Sequence, residues 1–335
     1  MRSSPIVREN SEHQNEPKFT GHGVLILDKP KGLTSHDVVQ QVKKKLGGAK
    51  VGHSGTLDPF ATGVLIVLVN EATKLSPFLV DQEKTYLFKV CFGVETDTQD
   101  CTGRVVAQTQ SEPLQETVIR EACAAFTGEI EQTVPRYSAV RVGGKRLYQL
   151  ARRGVQVTPP SRKVRIITLS LQQLSWPEAT FKVTCSKGTY VRSLGVDLAH
   201  YLNCNGHVSE LRRLRSGGFR LSQAVTLEQL EEVVSKSELD RLLISQVAAL
   251  EGYPKLRVSH PAAKRIRQGG VLESAHLIDE YSGKSWPRGP AKVLDPDNQL
   301  VAMVVKSADD LPDKEIVFKT LRVFGNISKT QPKFS

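Results

Sequence analysis

The chain has 335 residues, 46 Lys+Arg against 35 Asp+Glu for a net charge of +11, and 39% hydrophobic residues. That length allows one large domain plus a small one, each with its own core. No apolar run nears the ~20 residues of a membrane span, and the opening MRSSPIVRENSEHQNEP lacks the apolar stretch of a secretory signal. The five cysteines include no C-x-x-C pair, which argues against a disulfide framework or a structural zinc site and for a reducing, cytoplasmic setting. The basic balance points to a polyanionic partner.

Taken in chain order, residues 1–20 are polar and aperiodic and read as a disordered tail. From Gly23 the run Val24-Leu25-Ile26-Leu27 reads as a buried strand, stopped by Lys29-Pro30-Lys31-Gly32. Ser35 is placed to cap a helix with Val38, Val39, Val42 and Leu46 on one face, ended by Gly47-Gly48. Val64–Val69 is a second apolar run. In Lys84–Phe92, Tyr86, Phe88, Val90 and Phe92 alternate with their neighbours at strand periodicity. Pro113–Thr127 puts Leu114, Val118, Cys123 and Phe126 near one helical face, with Gly128 as the expected C-cap. Phe181, Val183 and Cys185 alternate in another strand, and Thr226 with Gln229 forms a capping box. Strands and helices interleave without a βαβ period, which favours a mixed α+β fold over a doubly wound sheet. A composition shift near Leu250–Pro254 opens a small β-rich domain over 251–335. Its expected elements are a helix at Ala262–Arg267 and strands at Ala291–Leu294, Leu300–Val305 and Leu321–Phe324.

The charge is uneven. Arg136 to Arg165 holds nine basic residues and no acidic one, where a solvated surface normally mixes signs. Such a stretch fits a surface that meets phosphates, and Tyr137 and Tyr148 within it could stack on unpaired bases; a basic loop with two packing tyrosines is the plainer alternative. Arg212, Arg213, Arg215 and Arg220 form a second, shorter cluster. These features indicate nucleic acid without yet indicating an enzyme.

Phosphate-loop, dinucleotide, nucleophile-elbow and zinc-protease motifs are absent from the sequence. His53, Ser54 and Asp58 invite a hydrolase reading, which is discounted because triad members rarely share one short loop. The densest segment is Gly52-His53-Ser54-Gly55-Thr56-Leu57-Asp58-Pro59, followed by Ala61-Thr62-Gly63, between an expected helix and a buried strand. Glycines permit sharp turns here and Pro59 fixes the backbone after a carboxylate. An ordinary tight connection, with Asp58 in an Asx-turn, would also suit these residues.

That segment strongly resembles the catalytic motif of the TruB family of pseudouridine synthases. Further blocks similar to the family follow in order: GVLILDKPKG at 23–32, Lys84-Thr85-Tyr86, Thr96-Asp97-Thr98, PRYSAV at 135–140, Lys145-Arg146-Leu147-Tyr148, CSKGTYVR at 185–192 and Leu211-Arg212-Arg213-Leu214. The resemblance runs from about Gly23 to Leu230. It implies a synthase domain over 21–250, with a mixed or antiparallel sheet, flanking helices and a basic thumb-like insert at about 136–160. Residues 251–335 resemble a PUA domain more diffusely.

The resemblance implies isomerisation of the T-loop uridine of tRNA, position 55 in tRNA numbering, to pseudouridine, with no cofactor and no metal. The reaction breaks the C1′–N1 bond, turns the uracil and joins C5 to C1′. A carboxylate can stabilise or attack the positive charge that builds at C1′, and Asp58 is the candidate. The family pairs this Asp with an Arg, here Arg192, whose guanidinium fork would hold the carboxylate in place; a phosphate-contacting or surface Arg is its plainer reading. Tyr86 matches the aromatic that stacks on the target uracil, although its alternation with Phe88 and Val90 also suits a core tyrosine. Tyr190 and Leu211 are implied to line the pocket, and His53 to fill space left by the flipped nucleotide. Asp28 and Lys29-Pro30 resemble an element supporting the site. Arg141, Lys145, Arg146, Arg152, Arg153, Arg212 and Arg213 are candidate RNA contacts, Arg141 standing where the family often has Lys. The implied partner is the T-arm of tRNA, with no membrane, no required protein partner and a monomeric chain. A guide-RNA-dependent H/ACA-type subunit and a tRNA-binding or folding protein are the alternatives.

Overall fold

The computed structural model describes residues 18–110, 112–278, 289–307 and 316–325. Most of the tail expected over 1–20 lies outside these residues. Its end is packed: Phe19 is buried, and its carbonyl accepts a hydrogen bond from the Asn70 amide at 3.1 Å.

The chain opens with β1 (Gly23–Lys29), α1 (Ser35–Lys45), β2 (Val51–Ser54), β3 (Thr62–Val69), α2 (Ser76–Val80) and β4 (Lys84–Phe92). The two apolar runs read as buried strands are β1 and β3, paired antiparallel from Gly23↔Val69 to Lys29↔Gly63. Val24, Ile26, Val64, Ile66 and Leu68 face one core, while Leu25, Leu27, Leu65, Val67 and Val69 face another. Both faces are covered, so these runs are unbroken rather than alternating. Thr34 caps α1, not Ser35: Thr34 Oγ1 accepts from Asp37 N (3.0 Å) and the Asp37 carboxylate accepts from Thr34 N (2.9 Å).

Next come β5 (Val94–Thr96), β6 (Val105–Gln108), α3 (Glu116–Ala125) and β7 (Gly128–Thr133). In α3 the buried residues are Ile119, Ala122 and Cys123, while Val118 is exposed. The inner face therefore runs through Ile119, four residues before Cys123, as the helical period requires. Phe126 is the C-cap and Gly128, at φ +113°, begins β7 instead of ending the helix. The basic insert holds the short hairpin β8 (Arg141–Val142) and β9 (Lys145–Arg146) and the helix α4 (Leu147–Arg152). The following β10 (Ser161–Ser175) belongs to the main sheet, so the insert closes at Pro160. Then come β11 (Glu178–Cys185), α5 (Val191–Tyr201), β12 (Gly206–Ser216), β13 (Phe219–Arg220), α6 (Leu227–Ser235) and α7 (Gln246–Ala249). The Thr226–Gln229 capping box on α6 is present.

The nine-stranded sheet runs β1-β3-β12-β4-β11-β10-β7, with β2 on β3 and β13 on β12. It is mixed, β12 lying parallel to β3 and antiparallel to β4. The inward alternation of β4 and β11 builds the largest core, where Phe88 stacks on Phe181 at 5.3 Å and α3 and α5 close over the sheet. A second sheet comprises β14 (Lys255–Arg257), β15 (Leu272–Glu273), β16 (Ala291–Leu294), β17 (Leu300–Lys306) and β18 (Val317–Val323), beside α8 (His260–Arg267). Leu294, Leu300, Met303 and Phe324 pack into the same core as Val24, Ile26, Ile66 and Leu68, joining the two sheets.

Helix α5 carries one costly group. Burial pushes the Asp197 carboxyl up to about 6; His200 pulls it down and Glu95 raises it further. Between the ordinary carboxyl value and 6 only the folded chain holds this proton, so the stability it contributes is lost as pH rises through 6. Asp197→Asn is expected to raise the unfolding free energy by about 2 kcal/mol at pH 8 and by almost nothing near pH 4. Urea unfolding at both pH values checks this, and an equal gain at both would contradict it.

Candidate active site

One edge of β3 is shared. β2 pairs with residues 66–69 of that strand, and β12 pairs in parallel with residues 62–63. The connection 55–61, which carries Asp58, emerges at this fork. Gly63 permits the close approach: its φ is +99°, and a Cβ there would lie 2.2 Å from the Arg213 carbonyl oxygen. No side chain fits.

Three buried side chains hold the loop from beneath. Ser35 accepts from Leu57 N (2.9 Å) and donates to Leu57 O (3.1 Å). The Lys29 ammonium donates to the carbonyls of Pro30 (2.8 Å), Leu33 (2.6 Å) and Pro59 (3.2 Å). Burial brings Lys29 down to about 8, while the nearby Asp58 carboxylate pulls it back up. Arg213 donates to the carbonyls of Val64 (2.7 Å), Gly55 (2.9 Å) and Thr56 (3.4 Å). Leu57 and Phe60 are buried in the core shared with Tyr86 and Leu211. With these side chains inward, Asp58 is left facing out, its side chain 34% exposed.

Asp58 meets Arg192 side-on: Nε donates to Oδ2 at 2.8 Å and Nη2 to Oδ1 at 3.3 Å. Arg192, 3% exposed at its side chain, also donates to Thr98 O (2.7 Å) and Tyr137 O (3.0 Å) and lies 3.7 Å from Asp100. The Thr96-Asp97-Thr98 block thus holds the arginine, its turn pinned by Asp100, which accepts from Thr98 Oγ1 (2.8 Å) and Thr102 N (2.9 Å). Asp58 is not in an Asx-turn; its backbone carbonyl accepts from Ala61 N at 3.1 Å, and its carboxylate is committed to Arg192. The discounted triad does not form either, because Ser54 Oγ donates to Ser76 O at 3.3 Å.

Tyr86 and Leu211 are both buried in the loop's core. Burial pushes the Tyr86 phenol up, while the Arg213 guanidinium, on the strand residue paired with it, pulls the other way. Tyr190 is the N-cap residue of α5. His53 sits on β2 with Nδ1 buried and unpartnered, and burial followed by the Arg213 charge lowers its pKa.

The candidate RNA contacts divide. Arg141, Lys145, Arg146, Arg152 and Arg153 are exposed on the insert, with Arg152 over the Tyr148 ring at 5.6 Å. The insert is anchored by buried Leu147 and roofs a cavity of about 510 Å³ lined by Asp97, Val106, Pro135, Leu150 and Val155. Arg212 is half-committed, donating to Asp28 (2.6 Å) and Thr62 (3.1 Å). Arg213 cannot contact phosphate: it is 1% exposed, facing inward beneath the loop. The spacing Leu211-x-Arg213 within a strand puts both residues on one face, the one signal that could have separated it from Arg212. Ser35 and Gln132, both buried and bonded to site backbone, carried no comparable signal.

Residues 43–191 match the profile of the TruB family pseudouridylate synthase N-terminal domain, and residues 192–251 that of the tRNA pseudouridylate synthase B C-terminal domain. The chain belongs to the TruB family. It is a pseudouridine synthase. A tRNA pseudouridine synthase B from Geobacillus thermodenitrificans is 40% identical over 90% of this chain and 99% of its own. One from Syntrophobacter fumaroxidans is 43% identical over 84% and 92%. Among solved structures, the Cbf5-Nop10-Gar1 complex shares 26% identity at TM-score 0.71, covering 90% of this chain and 85% of that one. An H/ACA RNP bound to a substrate RNA containing 2′-deoxyuridine shares the fold, at TM-score 0.70 and 22% identity over 95% and 93%. The TruB-family match spans the fork, the Asp58 loop and α5, while Asp28, Lys29 and Ser35 precede it.

Proposed function

We propose that this TruB-family synthase acts alone on tRNA and isomerises uridine 55 of the T-loop, with Asp58 as the catalytic carboxylate. The observation that carries this reading is the side-on Asp58–Arg192 pair, whose carboxylate stays 34% exposed on a loop that shares its core with Tyr86 and Leu211. A carboxylate held in one orientation can meet C1′ as its bond to N1 breaks, and the detached uracil needs an aromatic and apolar wall while it turns. Tyr86, Tyr190 and Leu211 supply that wall, and His53 stands on the neighbouring strand, where the extruded nucleotide leaves space. The curated relatives carry tRNA pseudouridine synthase B as their name over nearly their whole length, and the basic insert suits a direct grip on an RNA arm. The second sheet is read as a PUA-like RNA-binding domain. The five free cysteines suit a reducing cytoplasm.

Incubation of the purified protein with an unmodified tRNA transcript, without additive, should yield pseudouridine at position 55 alone within the T-loop. A requirement for a guide RNA would instead favour the H/ACA-type reading. The grip has its own test. Each phosphate neutralised on a duplex contributes about 0.9 to the slope of log K against log salt. Converting exposed Arg152 and Arg153 to Gln should therefore flatten that slope by up to roughly two units while the saturated single-turnover rate changes little. An unchanged slope with a collapsed rate would place the insert in the site itself.

A further inference from the structure

Arg162 belongs to the basic run by sequence but not by position. It lies on β10 directly opposite Gln132 of β7, so both side chains stand on the same face of the sheet. Both go to Tyr190. The buried Gln132 amide brackets that residue's backbone, accepting from Tyr190 N at 2.7 Å and donating to Tyr190 O at 3.0 Å. The Arg162 guanidinium lies over the Tyr190 ring, 4.5 Å from its centroid. Arg162 Nε and Nη2 are buried and make no hydrogen bond, so the stack is what holds this side chain. Gly188 makes room, since a Cβ there would come within 3.0 Å of Arg162 Nη1. The next tie along the chain is Ser193 Oγ, which donates to Thr133 O at 3.0 Å on the same strand as Gln132. Between these two anchors lies Arg192.

We propose that Gln132 and Arg162 are positioning residues that set the Tyr190 ring and, through the first turn of α5, the Arg192 guanidinium that orients Asp58. This inference rests on the site reading above. Tyr190 has no side-chain cap and α5 starts with its backbone, so without the Gln132 bracket the helix start is free to move. Displacement of about 1 Å at a reacting carboxylate costs on the order of 10²-fold in rate. Arg162 also shields one face of the ring with a flat cation, which gives the stack orientation as well as contact.

The test is a double-mutant cycle on the single-turnover rate at saturating tRNA, with tRNA affinity measured alongside. Arg162→Met and Arg162→Lys should each lower the saturated rate about tenfold and leave Kd within about twofold, because a lysine keeps the charge but not the plane. In a Tyr190→Ala background either change should cost less than about twofold, since Arg162 then has nothing to position. Gln132→Met should lower the rate by roughly 30-fold or more at unchanged Kd; if it does not fold by circular dichroism, the Arg162 cycle decides alone. Additive losses, rescue by Lys or a weakened Kd would make Arg162 a phosphate contact and overturn the proposal. Asp58→Asn is run in parallel. Normal turnover by that variant would bring down the site reading and this inference together, whereas additivity with an inactive Asp58→Asn overturns the inference alone.

Discussion

Asp58→Asn should abolish turnover, by about 10⁴-fold or more in the single-turnover rate, while tRNA affinity stays within about threefold. The amide keeps the shape of the carboxylate but carries no charge to meet the developing cation at C1′. One of its two polar atoms now faces the Arg192 donors as a donor, so one hydrogen bond is lost. The fold should survive, because Arg192 keeps the carbonyls of Thr98 and Tyr137 and the nearby Asp100 carboxylate. Rate and affinity measured on the same preparation separate chemistry from binding. A variant with wild-type turnover would remove Asp58 from the mechanism.

The second large effect concerns stability. Arg213→Met should lower the unfolding free energy by about 3–5 kcal/mol, whereas Arg212→Met should cost no more than about 1 kcal/mol. The side chains are adjacent in sequence and similar in volume, but Arg213 is buried and satisfies three carbonyl oxygens of the site loop and β3. Each carbonyl left bare in a dry interior costs roughly 1–3 kcal/mol, less what is recovered by no longer burying a charge. Arg212 holds Asp28 at a half-exposed position, where water can replace the contact. The loop would also lose an anchor, so the saturated rate of Arg213→Met should fall about 10²-fold even where the protein is folded. Urea unfolding of the two variants side by side checks the contrast. Equal, small losses would show that the buried guanidinium is dispensable.

The contrast between these two arginines also marks what was legible in advance. Strands whose burial repeats every second residue, such as Lys84–Phe92 and Glu178–Cys185, are carried by local chemistry and lie where the periodicity puts them. The unbroken apolar runs are likewise strands, since only a position between two cores suits them. The Asp58 loop stood out because its glycines and proline are local demands. Arg213 shows only through its two-residue spacing from buried Leu211, and Ser35 and Arg162 are illegible for one shared reason. A single cation or hydroxyl does not reveal which way its side chain turns until its strand or helix is paired, and pairing here joins distant segments. Arg162 belongs by sequence with the basic run and instead covers the Tyr190 ring. Ser35 suits a cap because capping is what a serine does locally, while Thr34, one residue earlier, does that work.

The fork in the sheet has a consequence in time. The Asp58 loop is made well before its partners: Arg192 lies 134 residues further on and Arg213, which grips Gly55, lies 158 further on. At about 5–20 residues per second, translation separates the two halves of the fork by roughly 8–30 s. During that interval β3 has one edge only part-covered by β2 and the loop lacks its guanidinium floor, while its ion pair waits on Arg192. A chain halted before β12 is made would therefore carry Asp58, Tyr86 and Arg192 but lack the Arg213 contacts that hold the loop. On the proposed reading of the site, catalytic competence therefore awaits β12, a strand made late in the synthesis of the first sheet.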